Sequence, residues 1–392
     1  MVSEERLTTT AMATDGRAVA RSRSGKVVFV EGALPGETVT VEVLSDHSRY
    51  SSARAREVLS AAPERTAPPC PHFADGCGGC QWQHITADGQ QRLKAGMIEQ
   101  ALLRIGRLTG FELAPTVTLQ PWEWRTTIRA GVVDGQASLR RGRSHDLVPI
   151  GGCLVAHPLL TPLLSGNRYP GAKSVVMRCG ARTGERLVAV APAGSAVELP
   201  DDVLTDHFHE QAAGRLWRVS AKSFFQGRPD GADALASLVR EAARDVRGSG
   251  PALRAVDAYT GVGVFAGVLA DEGYTVVAVE GSRSSVSDAR ANLAGLPAEV
   301  VHADVTRWRP SPAGLVVADP SRAGLGRDGA RVIAGTDAAR VILISCDVAS
   351  LGRDAGLLVR SGYRLSSVTP VDMFPQTWHV EVVSVFDRVD RA

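Results

Sequence analysis

The residue in this chain best placed to do covalent chemistry is a cysteine at the end of an apolar run. In Ile342-Leu-Ile-Ser345-Cys346-Asp347 the thiol stands at the carboxyl end of a buried strand, the rim where open α/β sheets bind their ligands. Cysteine is also among the most often buried residue types, so Cys346 read alone fits a core thiol as well as a nucleophile. A candidate ligand loop precedes it. Asp257-Ala-Tyr-Thr-Gly261-Val-Gly263 falls between a strand and a helix, where glycines let the backbone approach a ligand at the helix N-terminus. Glu280 ends the next strand, positioned to accept from ribose hydroxyls; Asp304 follows the third strand and Asp319-Pro320 the fourth. Glu280 and Asp304 could equally be helix caps. A pyrophosphate-binding loop would read G-x-G-x-x-G, whereas the third glycine here, Gly267, comes one place late. That tilts the reading from a dinucleotide toward S-adenosylmethionine.

A second group of thiols has a different character. Cys70, Cys77 and Cys80 sit in one glycine-rich turn, with Gly78 and Gly79 between the last two, while Cys153, Cys179 and Cys346 stand apart. Such uneven spacing points to metal binding plus a separate reactive thiol. Three clustered thiols need a fourth ligand from elsewhere, as iron–sulfur sites do; zinc competes, although only one Cys-x2-Cys pair is present.

The elements that must carry these residues fall into three regions. Up to Leu59 the chain reads as short strands broken by glycine turns (Gly16 to Val19, Lys26 to Val30, Thr38 to Leu44, Ser52 to Val58), a small OB-like β-barrel over residues 1–61. The proline-rich stretch Ala61 to Pro71 is a linker. Residues 62–220 hold the cysteine turn, one amphipathic helix through Leu93, Met97, Ala101 and Ile105 capped by Thr86 or Asp88, and a β-rich central region. Residues 221–392 alternate strand and helix as a Rossmann-like α/β domain, a mostly parallel sheet whose last two strands pair antiparallel.

Composition sets outer limits. Lys+Arg 44 against Asp+Glu 42 leaves a net charge of +2, which neither requires nor forbids a nucleic-acid partner, and only four of the basic residues are lysine. A mean hydropathy of -0.01 and the lack of a long apolar run exclude a membrane-spanning role. The polar start Met-Val-Ser-Glu-Glu-Arg is unlike an export signal, so a cytoplasmic location is expected.

Several segments, in order, resemble the RNA uracil-C5 methyltransferases, class I S-adenosylmethionine-dependent enzymes that make 5-methyluridine in ribosomal and transfer RNA. They are Ser223-Phe-Phe-Gln226, Asp257 to Gly263, Val279-Glu280-Gly281, Asp319-Pro-Ser-Arg-Ala-Gly-Leu325, Ser345-Cys346-Asp347 with Leu351-Gly-Arg-Asp354, and Asp372-Met-Phe-Pro375 with His379-Val-Glu381. The N-terminal barrel similarly resembles a TRAM RNA-binding domain, most typically at Gly32-Ala-Leu-Pro-Gly-Glu37. The resemblance implies that Gln226, Tyr259, Glu280 and Asp319 contact S-adenosylmethionine or the target base, that Cys346 is the nucleophile, and that Glu381 is the base. Chemistry asks for such a pair: C5 of uracil attacks a methyl sulfonium only after a thiolate adds at C6, and a carboxylate must then take the C5 proton. The resemblance also supplies Cys153 as fourth ligand, hence a [4Fe-4S] cluster rather than zinc on Cys70, Cys77, Cys80 and Cys153, and leaves Cys179 structural.

Because the cluster is typical of the ribosomal branch, 23S rRNA is the expected substrate, with a tRNA uridine as the alternative and no obligate protein partner inferred. Arg125, Arg129, Arg140, Arg141 and Arg143 are candidates for phosphate contacts, and Trp122 and Trp124 for base stacking. The sequence departs from the family pattern at Arg228, Thr260, Val264 and Asp347. Two other classes compete: a non-catalytic RNA-binding protein on the same fold, and a radical iron–sulfur enzyme. The latter expects a Cys-x3-Cys-x2-Cys triad that is not seen.

Overall fold

The computed structural model describes residues 5–195, 197–244, 246 and 253–389; the polar first four residues lie outside it. Five strands, β1 (Glu5–Met12), β2 (Ala18–Arg21), β3 (Val27–Glu31), β4 (Thr38–Asp46) and β5 (Tyr50–Ser60), close a barrel in the order β1-β2-β3-β5-β4. Alternation drives this: Ala18, Ala20, Val28, Val30, Val39 and Val41 fill the interior and their neighbours face outward. β1 is absent from the sequence expectation because its inward positions are Leu7 and a threonine. Thr9 is buried all the same, its hydroxyl donating to the Leu34 carbonyl. Glu37, fully buried, accepts from the amides of Leu34 (2.8 Å) and Ala62 (3.2 Å) and from Arg65, which ties the barrel to the linker.

Two helices follow, α1 (Pro71–Ala74) and α2 (Ala87–Ala101), the second capped by Thr86, which accepts from the Gly89 amide. Then come β6 (Thr127–Val133), β7 (Gln136–Arg140), β8 (Leu147–Pro149), β9 (Ser174–Cys179), β10 (Arg186–Ala191) and β11 (Val203–Leu204), forming one sheet in the order β11-β10-β9-β6-β7-β8. A hairpin of β12 (His207–Ala212) and β13 (Arg215–Ser220) leads onward.

The last region runs α3 (Pro229–Arg244), β14 (Arg254–Ala258), α4 (Val264–Asp271), β15 (Thr275–Glu280), α5 (Arg283–Asn292), β16 (Ala298–His302), β17 (Leu315–Ala318), α6 (Gly326–Ala334), β18 (Arg340–Ser345), α7 (Val348–Arg360), β19 (Tyr363–Val371) and β20 (Glu381–Arg388). Its sheet is ordered β16-β15-β14-β17-β18-β20-β19, parallel except for β20, which is antiparallel to both neighbours. Both faces are covered at the centre of the sheet, where every residue of β17 is buried. One face packs Ala255, Val276, Val317 and Ile342 against α3 and α4; the other packs Val256, Val279, Val316 and Leu343 against α6, α7 and the Met97, Ile98 face of α2. No helix among the described residues is long and apolar enough to cross a membrane.

Candidate active site and nucleic-acid interface

Strand order reverses between β14 and β17, and a crevice opens at the carboxyl ends of the strands at such a point. Register lines up the residues there. Ala258 pairs with both Val279 and Ala318, so Tyr259, Glu280 and Asp319 leave the sheet at one level. Ser345 pairs with Val382 across the antiparallel ladder, and the next step brings Cys346 level with Glu381. Gln226, arriving from the segment before α3, donates from Nε2 to Asp319 Oδ2 at 3.0 Å.

These groups load one another electrostatically. Glu381 is buried, and nothing among the described residues hydrogen-bonds to its Oε2. Burial and the nearby Asp319 push its carboxyl well above the ordinary range, with Arg322 opposing. Burial, then the charge of Asp257, pushes Asp319 up to about 7. Burial, then Glu381 and Asp319, pushes the Cys346 thiol up to about 12, again against Arg322. His379 stacks on Trp378 with ring centroids 3.8 Å apart; burial and the cations Arg322, Lys94 and Arg125 hold it down at about 3, so its imidazole is neutral.

The glycine loop is organised by two carboxylates. Glu280 accepts from the Gly261 amide (2.9 Å) through Oε2 and from the Ser282 amide (2.7 Å) through Oε1. Gly261 has φ +58, with no atom within 4 Å of where a Cβ would stand, so the loop forms an open cradle beside Glu280. Asp257 lies beneath, fully buried, accepting from the Ala266 amide (2.8 Å) and the Thr260 hydroxyl; burial pushes it up to about 7. Thr260 thus anchors the loop. Tyr259, which precedes the loop at φ +64, has its hydroxyl pushed up to about 12 by burial, then by Asp304 and Asp354. Asp304 takes the bland alternative: it is exposed and caps a short turn, accepting from the Thr306 amide at 2.9 Å. Asp347 caps α7 by accepting from Ser350 N at 2.7 Å, and buried Arg228 pairs with Asp230 at 2.6 Å.

Cys70, Cys77, Cys80 and Cys153 come together around one pocket, shared with the apolar side chains of Phe73, Leu139 and Ile150. Gly78 makes the turn possible: a Cβ there would lie 2.9 Å from the Arg140 carbonyl. Among the described residues, no group of three or more histidine, cysteine or carboxylate side chains could hold a single metal ion. Cys179 lies elsewhere, 1% exposed in β9.

A cleft of about 1090 Å³ runs between the barrel and the cysteine turn and ends at Trp378 and His379, two residues from Glu381. Arg17, Arg54, Arg125, Arg129, Arg140, Arg141 and Arg143 line it against only two carboxylates, Asp15 and Glu31. Trp124 is 5% exposed and covered by Arg125 at 4.9 Å, so it is a packed ring, not a free stacking surface; Trp122 is half-buried.

Comparison with known proteins identifies the family and the fold. The family model described as TRAM domain matches residues 2–55. An RNA methyltransferase of Streptomyces avermitilis is 34% identical, covering 96% of each chain. This chain belongs to that RNA methyltransferase family. The 23S rRNA (uracil(1939)-C(5))-methyltransferase of Shewanella piezotolerans is 29% identical over 93% of this chain and 91% of its own. In fold, the chain matches the Pyrococcus abyssi tRNA (uracil-54, C5)-methyltransferase solved with S-adenosyl-L-homocysteine, with TM-score 0.75 at 20% identity, covering 97% of this chain and 99% of that one.

Sequence reasoning gave no role to three residues that shape this RNA methyltransferase's site. Arg322 was visible only as a letter within Asp319-Pro-Ser-Arg; that it opposes both the Cys346 and Glu381 shifts needs the fold. Asp257 and Lys94 likewise gain meaning from burial, which one sequence does not display.

Proposed function

We propose that this enzyme methylates C5 of a uridine in RNA, drawing the methyl group from S-adenosylmethionine, with 23S rRNA as substrate. The observation that carries the reading is the ladder step that sets Cys346 level with Glu381, whose buried Oε2 has no hydrogen-bond partner among the described residues, with an arginine-lined cleft reaching Trp378 and His379 in the segment before β20. The open cradle at Gly261 and the Glu280 carboxylate fit the cofactor's ribose and backbone-facing groups, with Tyr259 alongside. When bound, S-adenosylmethionine supplies an electrophilic methyl. The chain's own residues do the rest. The Cys346 thiolate forms a bond to C6, and the C5=C6 pair moves to make C5 nucleophilic. After C5 is methylated, Glu381 takes the C5 proton; the electron pair left behind re-forms C5=C6 as the Cys346–C6 bond breaks and the thiolate departs. Gln226 and Asp319, joined by their hydrogen bond, form the wall nearest both groups.

A [4Fe-4S] cluster on Cys70, Cys77, Cys80 and Cys153 belongs to the same proposal. Four thiols from two chain segments around one pocket support it, since four thiolates are the ligand set of a [4Fe-4S] cluster. The reaction needs no electron, so the cluster's role is structural.

The two catalytic residues should fail differently. Cys346→Ala should give neither product nor covalent species. Glu381→Gln should accumulate a methylated enzyme–RNA adduct that survives denaturing gels, as 5-fluorouridine RNA should do with the wild type. Near-normal turnover by Cys346→Ala would sink the nucleophile assignment, and an inactive Glu381→Gln without adduct would sink the base.

A further inference from the structure

Among the described residues Glu381 has no hydrogen bond at Oε2, so its position is inherited from the backbone that delivers it. That backbone is the segment from Asp372 to His379, a strap between β19 and β20. What holds the strap comes from far outside the α/β domain. Lys94, fully buried on α2, donates to Asp372 Oδ1 at 2.6 Å and to the Phe374 carbonyl at 3.1 Å. One helical turn earlier Gln90, also buried, accepts from the Gln376 amide at 2.8 Å and donates to Gln376 Oε1 at 3.1 Å. The Gln376 carbonyl in turn accepts from the amides of Gln81 (3.0 Å) and Trp82 (2.9 Å), directly after Cys80. Gln376 itself sits at φ +69, an unfavourable conformation for a side-chain-bearing residue that persists only where its surroundings enforce it.

We propose that Gln90 and Lys94 are positioning residues for Glu381, acting through the strap: they hold Gln376 and Phe374 so that the strap enters β20 with the carboxylate facing Cys346. The inference rests on the uracil-C5 reading for its catalytic consequence but not for its structural one. A lysine sealed from solvent costs more to bury than a leucine would, and both recorded hydrogen bonds of this one go to strap atoms, one of them the carbonyl of the residue whose ring packs against His379 at 6.2 Å.

The test uses the full-length enzyme. Lys94→Met alone strands the Asp372 carboxylate, so the paired variant Lys94→Met/Asp372→Asn, which removes both charges, is measured beside Gln90→Ala. Expected are an unchanged Kd for S-adenosylmethionine, a normal yield of adduct with 5-fluorouridine RNA, and a kcat on uridine RNA lowered about tenfold to a hundredfold, the penalty for small misplacement of a reacting group. Adduct on ordinary uridine RNA should build up, and hydrogen exchange at the Trp82 and Gln376 amides should quicken. Turnover within twofold of wild type, or loss of the 5-fluorouridine adduct in step with turnover, would overturn the proposal. Should the wild type itself form no adduct, the uracil reading fails, while exchange at Gln376 still decides whether Gln90 and Lys94 hold the strap.

Discussion

Replacing Asp257 by asparagine should stabilise the protein, and by more at high pH than at low. Its carboxyl is fully buried and pushed from 3.8 up to about 7, mainly by burial, against the pull of Thr260 and the Ala266 amide. A raised carboxyl keeps its proton in the folded chain where the unfolded chain releases it, so the cost of folding begins above the unfolded value and grows until the folded one is passed. With those two values the cost grows by roughly 2–3 kcal/mol between pH 5 and pH 8. Asparagine keeps an oxygen for the Ala266 amide and carries no charge. Removing that charge also relieves Asp319, in the same direction. Buried His84 and His379, held at about 4 and about 3, titrate oppositely, favouring the fold as pH rises. The decisive quantity is therefore the variant minus wild-type difference, by urea unfolding at pH 5, 6, 7 and 8, in which the histidines cancel. It should widen by about 2–3 kcal/mol across that window. A difference constant with pH would refute a proton-loaded Asp257.

Further outcomes are expected. Glu280→Ala should weaken S-adenosylmethionine binding by about 1–3 kcal/mol in calorimetry, and because Glu280 also holds the Gly261 and Ser282 amides, Glu280→Gln should retain more of the affinity. Anaerobically purified protein should carry about four irons per chain, and Cys153→Ser should lose iron while Cys179→Ser keeps it; stoichiometric zinc in colourless protein would refute the cluster. Removing Arg140, Arg141 and Arg143 together should lower RNA affinity without regard to sequence and flatten its salt dependence by about 2–3 in slope, since each phosphate contact releases counterions. An unchanged salt slope would place the RNA elsewhere.

Much of the sheet was legible because parallel strands buried on both faces leave apolar runs, and the residue that ends each run is a rim residue. Glu280, Asp319 and Cys346 could be placed on that ground alone. Asp304 shows where the logic stops: it too follows a strand, but its oxygen is taken by Thr306. β1 was illegible because Thr9 at an inward position breaks the apolar alternation, its burial made tolerable by a carbonyl 25 residues away in sequence. Lys94 was illegible for a related reason. A lysine on a polar-looking helix reads as solvent-facing, and its partner Asp372 lies 278 residues on. Trp124 reads from sequence equally as a stacking or a packed ring, and the Arg125 guanidinium over it decides for packing. For Thr9 and Lys94 the missing information is a long-range pairing that changes what burial costs.

The electrostatics of the site also bear on the order of events in the proposed reaction. A thiol near 12 is deprotonated to only about one part in 10⁵ at pH 7, so Cys346 is inert until its surroundings change. Burial does most of this, and the negative neighbours that add to it are groups the proposed chemistry needs, Glu381 to take the C5 proton and Asp319 to pair with Gln226, so they are not dispensable. Arg322 opposes them without overcoming them. What lowers such a thiol is additional positive charge close by or loss of negative charge, and the sulfonium of a bound methyl donor would supply the first. The Cys346 thiolate would then form only with the methyl donor in place, which would keep a reactive thiolate from standing idle where it could be oxidised. Glu381 gains by the same charge, since a carboxylate that must accept a proton from C5 has to begin without one. Burial that is a penalty for both residues separately thus becomes a device that makes their activation depend on one event.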